Sequence, residues 1–137
     1  MRGVLVDASA LVALLDRGDD QHAACVRALE SITDQVITVW PALTEAMHLV
    51  GDSARAQEAL LDMVEDQALE LASLDADDLP RMKALMRKYR DLPMDFADAA
   101  LVRVAERDRL PRILSFDRHF RVYALPGRSR FVVLGTT

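Results

Sequence analysis

Short, strongly apolar runs recur along the chain, and the first two lead into stretches with helical periodicity. Val4-Leu5-Val6 leads through Asp7-Ala8-Ser9 into Ala10-Leu11-Val12-Ala13-Leu14-Leu15. Val36-Ile37-Thr38-Val39 is short and β-branched and leads into a segment opened by Pro41, a residue suited to the first turn of a helix. Ile113-Leu114-Ser115 ends at Phe116-Asp117, and Phe131-Val132-Val133-Leu134 lies near the C-terminus. Runs this apolar belong to strands covered on both faces, and strands alternating with helices imply parallel crossovers. The pattern therefore predicts an α/β fold with a mostly parallel central sheet and helices on both faces. In such folds the ligand crevice lies beyond the carboxyl ends of the strands.

The remaining punctuation fits that frame. Gly18 closes the first helix, and Asp19-Asp20 start a second that runs to about Ser31, with Ala24, Ala28 and Leu29 inward. Leu43, Met47 and Val50 give the helix after Pro41 an apolar stripe that Gly51 stops. Residues 54–67 read as helix and Leu69-Glu70-Leu71 as a short strand. Asp75, Asp77 and Asp78 open a further helix, with negative charge where the helix dipole favours it. Its expected buried side is Leu79, Met82, Leu85, Met86 and Tyr89, and Pro93 breaks it. A last helix over residues 95–108 carries Ala97, Leu101 and Val104 on one face. No repeat, low-complexity tract or linker interrupts the 137 residues, so residues 1–137 are expected to form one domain.

About half of the residues are apolar, which supports a real core. No apolar run is long enough to span a membrane, and the N-terminus lacks a signal peptide's apolar region, so a cytoplasmic location is expected. Cys25, the single cysteine, reads as a small buried apolar residue. The net charge of -5 is divided unevenly: residues 1–80 carry 4 basic and 16 acidic groups, and residues 81–137 carry 13 basic and 6 acidic. The basic second half hints at an anionic partner. Arg81, Arg87, Arg112, Arg118 and Arg121 are the candidates for holding a nucleic-acid backbone.

Four acidic residues fall where the crevice should be. Asp7 and Asp117 follow the first and third of these strands. Glu45 lies in the first turns of the helix after the second strand, and Asp98 near the start of the helix leading into the third. Asp95 precedes Asp98 by three residues, which sets both on one helix face. An Asp at a helix start is commonly only a cap. A lone carboxylate at the end of a buried strand is costly without a partner, however, and a cluster of them repels itself unless a cation intervenes. Oxygen ligands alone favour magnesium or manganese over zinc. Other chemistries lack their parts: there is no G-x-x-x-x-G-K, G-x-G-x-x-G, G-x-S-x-G or H-E-x-x-H. His22 and His48 read as surface or helix-packing residues; His119, two residues after Asp117, has contact with substrate as an alternative to that bland reading.

These segments resemble the PIN-domain family. Val4-Leu5-Val6-Asp7-Ala8-Ser9 is similar to its opening motif, Thr44-Glu45 to its second acidic position, Leu92 to Val102 to its third, and Ile113-Leu114-Ser115-Phe116-Asp117-Arg118-His119-Phe120 to its fourth. Order and spacing are the specific part of the match. Size and compactness look most like the VapC-type toxins of bacterial toxin–antitoxin pairs. The resemblance implies a Rossmann-like three-layer fold and RNA cleavage with magnesium or manganese. It also implies a metal-holding set of Asp7, Glu45, Asp98 and Asp117, with Asp95 accessory and Ser9 and Ser115 orienting carboxylates or water. A cognate antitoxin and a homodimer are implied as partners. An RNA-processing or DNA-acting nuclease on the same fold, and a non-catalytic PIN binding module, remain as alternatives.

Overall fold

The computed structural model describes residues 2–135. Its central sheet has five parallel strands in the order β3-β2-β1-β4-β7. These are β1 (Gly3–Val6), β2 (Gln35–Thr38), β3 (Glu70–Leu71), β4 (Arg112–Leu114) and β7 (Val132–Leu134). Between β1 and β2 lie α1 (Ala8–Leu15) and α2 (His22–Ser31); between β2 and β3 lie α3 (Trp40–Leu49) and α4 (Ala54–Glu65). Between β3 and β4 come α5 (Leu79–Lys88) and α6 (Phe96–Asp108).

Every residue of β1 is buried, as the central strand of a two-sided sheet requires. Alternate side chains feed two cores. Leu5, Ile37 and Ile113 point into a core with Met82, Leu85 and the buried face of α6. Val4, Val6 and Leu114 point into another with Leu11, Cys25, Leu43 and Leu60. From β1 the chain moves outward through β2 to β3, then returns to build β4 and β7 on the other side. The reversal opens a crevice at the carboxyl ends of β1 and β4.

Two expectations need correction, and one element lay outside them. Leu79 is 47% exposed, because a short 3-10 turn over Ala76–Asp78 precedes α5 and starts the helix with Leu79 turned away from the core. Pro93 does not end α5: the helix stops at Lys88, and the Leu92 and Met94 N–H groups both close back on the Tyr89 carbonyl. A small antiparallel hairpin, β5 (Ala124–Leu125) with β6 (Ser129–Arg130), was not foreseen. It turns through Pro126-Gly127-Arg128, where Gly127 has φ 74°, and its strands are too short to show an alternating pattern.

Candidate active site

Asp7 terminates β1, caps α1, and is 4% exposed. Its Oδ1 accepts hydrogen bonds from the Ser9 hydroxyl (2.7 Å) and the Ala10 N–H (3.0 Å), and its Oδ2 accepts one from the Ser115 hydroxyl (2.6 Å). The same two serines fasten the end of β4. Ser115 Oγ accepts from the Asp117 N–H at 2.9 Å, and Ser9 Oγ accepts from the Phe116 N–H at 3.0 Å. The paired hydroxyls thus lock the tips of β1 and β4 together and fix Asp7 against Asp117.

Asp117 caps a 3-10 turn (Arg118–Arg121) by accepting from the His119 N–H at 2.9 Å. Asp98 sits in the first turn of α6, whose N-cap is Asp95, accepting from the Asp98 N–H at 2.8 Å. Asp95 therefore fills the ordinary capping role and also lines the cleft. Glu45 reaches in from α3. Together Asp7, Ser9, Glu45, Asp95, Asp98 and Asp117 line a cavity of about 120 Å³, and no lining residue is basic. All five expected carboxylates, and Ser9, are brought together; Ser115 acts from behind Asp7.

Two residues go beyond the sequence reading. The Tyr123 hydroxyl donates to Asp98 Oδ2 at 3.0 Å from a fully buried position. No motif marks it. His119, expected at most to touch substrate, offers a ring nitrogen within 4.8 Å of carboxylate oxygens of Asp98 and Asp117, close enough for the three to share a cation. His22 packs as expected, its Nδ1 2.8 Å from the Ala13 carbonyl, and His48 is exposed.

The electrostatics of the cleft are those of crowded, uncompensated anions. Burial, then the nearby Asp95 and other carboxylates, pushes the Asp98 pKa up to about 7 against the opposing Tyr123 bond. Burial raises Asp7 to about 6, with Asp117 adding to it and the serine and backbone bonds opposing. Glu45 is raised by burial and by Asp95, Asp7 and Asp117. A low-dielectric site that holds like charges at this cost is suited to a cation.

The five candidate arginines are not gathered in the same way. Arg118 and Arg121, with Arg27 of α2, line a groove that also includes Asp20 and Phe116. Arg87 lines an apolar groove along α5. Arg81 is bound to Glu106 at 2.7 and 3.1 Å. Arg112 opens β4, at the far end of the sheet from the cleft, and is ion-paired with Asp34.

Residues 4–125 match the PIN domain. The chain belongs to the PIN-domain family. Ribonuclease VapC26 of Mycobacterium tuberculosis is 32% identical over 134 residues, covering 96% of this chain and 99% of that one. The fold is shared with VapC20 of Mycobacterium tuberculosis, a sarcin-ricin-loop-cleaving toxin, at a TM-score of 0.78 and 21% identity, over 84% of this chain and 90% of the other. A toxin–antitoxin complex from Klebsiella pneumoniae matches at a TM-score of 0.64 and 23% identity, over 84% and 87% of the two chains. VapBC2 from Rickettsia felis, solved with a promoter DNA fragment, matches at 0.66 and 12% identity, over 96% and 98%. Among the described residues of this PIN-domain protein, no helix is long and apolar enough to cross a membrane.

Proposed function

We propose that this PIN-domain protein is a metal-dependent endoribonuclease of the VapC type, acting as the toxin of a toxin–antitoxin pair, with residues 1–137 forming its one domain. The observation that carries the reading is the convergence of Asp7, Glu45, Asp98 and Asp117, from separate elements, on one cleft whose lining contains no cation. Its relatives supply the substrate class and the partner: one is a ribonuclease, and solved structures of the same fold include toxin–antitoxin assemblies. The cytoplasm is the matching location.

The donors fit a hard divalent cation. Asp7, Glu45, Asp98 and Asp117 offer oxygen, which suits magnesium or manganese; participation of His119 would tilt the set toward manganese. Such an ion supplies neutralisation of the scissile phosphate and acidification of the attacking water. The chain's own residues supply geometry. An ionised carboxylate accepts about four hydrogen bonds or ligands; Asp7 spends three on Ser9, Ala10 and Ser115, which fixes its rotamer and leaves one position on Oδ2. Tyr123 likewise holds Asp98 by Oδ2 and leaves Oδ1 for the cleft. Arg118 and Arg121 hold the RNA backbone beside Asp117. Water adds in line to phosphorus as the bond to O3′ breaks, leaving a 5′-phosphate and a 3′-hydroxyl.

The test is cleavage of total RNA with end mapping, with and without EDTA. The reading expects discrete cuts bearing 5′-phosphates that appear only with magnesium or manganese. RNA bound but never cut, with either metal, would make the chain a binding module instead. Affinity should fall with rising salt, and Arg118→Ala should lower the salt slope by about one.

A further inference from the structure

Beside the acidic cleft lies a second groove of about 630 Å³, lined by Trp40, Pro41, Thr44, Glu45, His48, Asp95, Phe96 and Ala97. We propose that this groove is a subsite for an unpaired nucleobase next to the scissile phosphate, with Trp40 and Phe96 as its stacking faces. The inference rests on the RNA-cleaving reading above and adds to it where the substrate's bases go.

Aromatic residues are scarce here, at 5% of the chain, and most are spent on the core. Tyr89, Tyr123, Phe120 and Phe131 are buried in a chain of edge-to-face contacts. The sole tryptophan is different: Trp40, the first residue of α3, is 61% exposed. Phe96, the first residue of α6, is 49% exposed. Neither helix needs them for docking, since Ala42, Leu43 and Ala46 bury α3 and the run from Ala97 to Val102 buries α6. Large aromatic faces left in water at the mouth of a site are what single-stranded nucleic acid binders use, because every base has a face to stack.

Two features of position favour RNA over a protein face. The groove shares Glu45, Asp95 and Ala97 with the cleft, so a strand whose phosphate sits in the cleft has its neighbouring base over the groove. Arg118, the residue after Asp117, lines a separate groove with Arg27 and Arg121, where a phosphate further along the strand can be held. An apolar protein surface seated on the groove would strip water from the Glu45 and Asp95 carboxylates without replacing it. A base stacks on the rings while its N–H edge can still donate to them.

Because Trp40 is the only tryptophan, its fluorescence reports this groove alone. The experiment titrates the full chain, in EDTA to prevent cleavage, with a short unstructured RNA carrying a terminal dye, following dye anisotropy and tryptophan emission together. Stacking predicts quenching with the same midpoint as the anisotropy change. Trp40→Ala should weaken binding and raise KM about tenfold while kcat stays within about twofold, and Trp40→Phe should restore most of the loss. RNA that binds by anisotropy while Trp40 emission stays unchanged would overturn the subsite and leave the ribonuclease reading standing. So would a Trp40→Ala variant with the parent's KM. If the free chain is a dimer that Trp40→Ala converts to a monomer, the face belongs to a second copy and the subsite is likewise overturned. No cleavage with either metal would remove the reading on which the subsite rests.

Discussion

Two places in this molecule bury aspartate near the start of a helix, and they solve the problem in opposite ways. Asp78, 5% exposed ahead of α5, accepts from Arg103 Nε at 2.8 Å, Arg107 Nη1 at 3.2 Å and the Asp75 N–H at 3.1 Å. Burial alone would raise its pKa, but the Asp75 bond and the two guanidinium groups outweigh it and hold the carboxyl below its ordinary range. Asp7 and Asp98, 4% and 9% exposed, have hydroxyl and backbone donors but no arginine or lysine partner among the described residues, and both are pushed up. Asp78 is complete within the chain and ties α5 to α6. On the proposed function, the cleft is completed by a cation from outside the chain. A buried carboxylate with an arginine is a structural pin; several without one form a binding site.

The largest effect that separates the two places is on rate. Asp98→Asn keeps the side chain's shape and removes one charge, so cleavage should fall on the order of 10²-fold or more. The same variant should melt no lower than the parent in metal-free buffer, since a repelling charge is gone. Asp95→Asn, at the exposed rim, should lose less. If Asp95→Asn were dead and Asp98→Asn active, the roles assigned to the two carboxylates would be reversed.

Asp78→Ala should do the opposite. It removes one partner each from Arg103 and Arg107, which keep Glu106 and Asp108, and removes a capping box, at a cost of about 2–3 kcal/mol, so the melting temperature should drop by roughly 10 °C. Cleavage by the folded fraction should be unchanged. A stable Asp78→Ala protein would show that the pin contributes little.

A smaller contrast lies in pH. Folded-state pKa values of about 6 for Asp7 and about 7 for Asp98 lie above the unfolded value of 3.8, so folding favours their protonated forms. That stabilisation is full below pH 3.8 and is lost as pH rises through about 6 to 7. Asp78, with its pKa lowered, contributes the reverse trend, present above the unfolded value and lost on acidification below it. In EDTA the melting temperature should therefore decline from about pH 4 to about pH 7 and level off above that, and Asp98→Asn should flatten the decline. A parent and variant with parallel profiles would contradict the raised Asp98. Smallest of all, Tyr123→Phe removes one bond to Asp98 and should weaken metal binding severalfold without abolishing cleavage.

Much of the cleft was legible because its parts are local. An apolar run ending in Asp specifies both the strand and where its carboxylate emerges, which is why Asp7 and Asp117, with Ser9 and Ser115 close by in sequence, could be placed from pattern alone. Glu45 and Asp98 needed the order of motifs, since an acidic residue early in a helix otherwise reads as a cap. What stayed hidden depends on distant pairing. Arg81 and Arg112 read as free cations, yet their partners Glu106 and Asp34 lie 25 and 78 positions away. Tyr123 reaches Asp98 across 25 positions from a segment with no periodicity, and Asp78 read as a dipole partner although α6 encloses it with arginines. Leu79 was misplaced because a 3-10 turn shifted the phase of α5.

On the proposed function, the cleft carboxylates form an incomplete site that a divalent cation completes. Calorimetric titration of manganese into the metal-free protein tests this directly, performed near pH 6.5 in two buffers of different ionisation enthalpy. Binding with net proton release is expected, because Asp7 and Asp98, raised to about 6 and about 7, are partly protonated at that pH and must ionise to hold the metal. That binding should be lost in Asp98→Asn and retained in Asp78→Asn. Manganese that fails to bind the parent, or that binds Asp98→Asn with the parent's affinity and proton release, would contradict the proposed site.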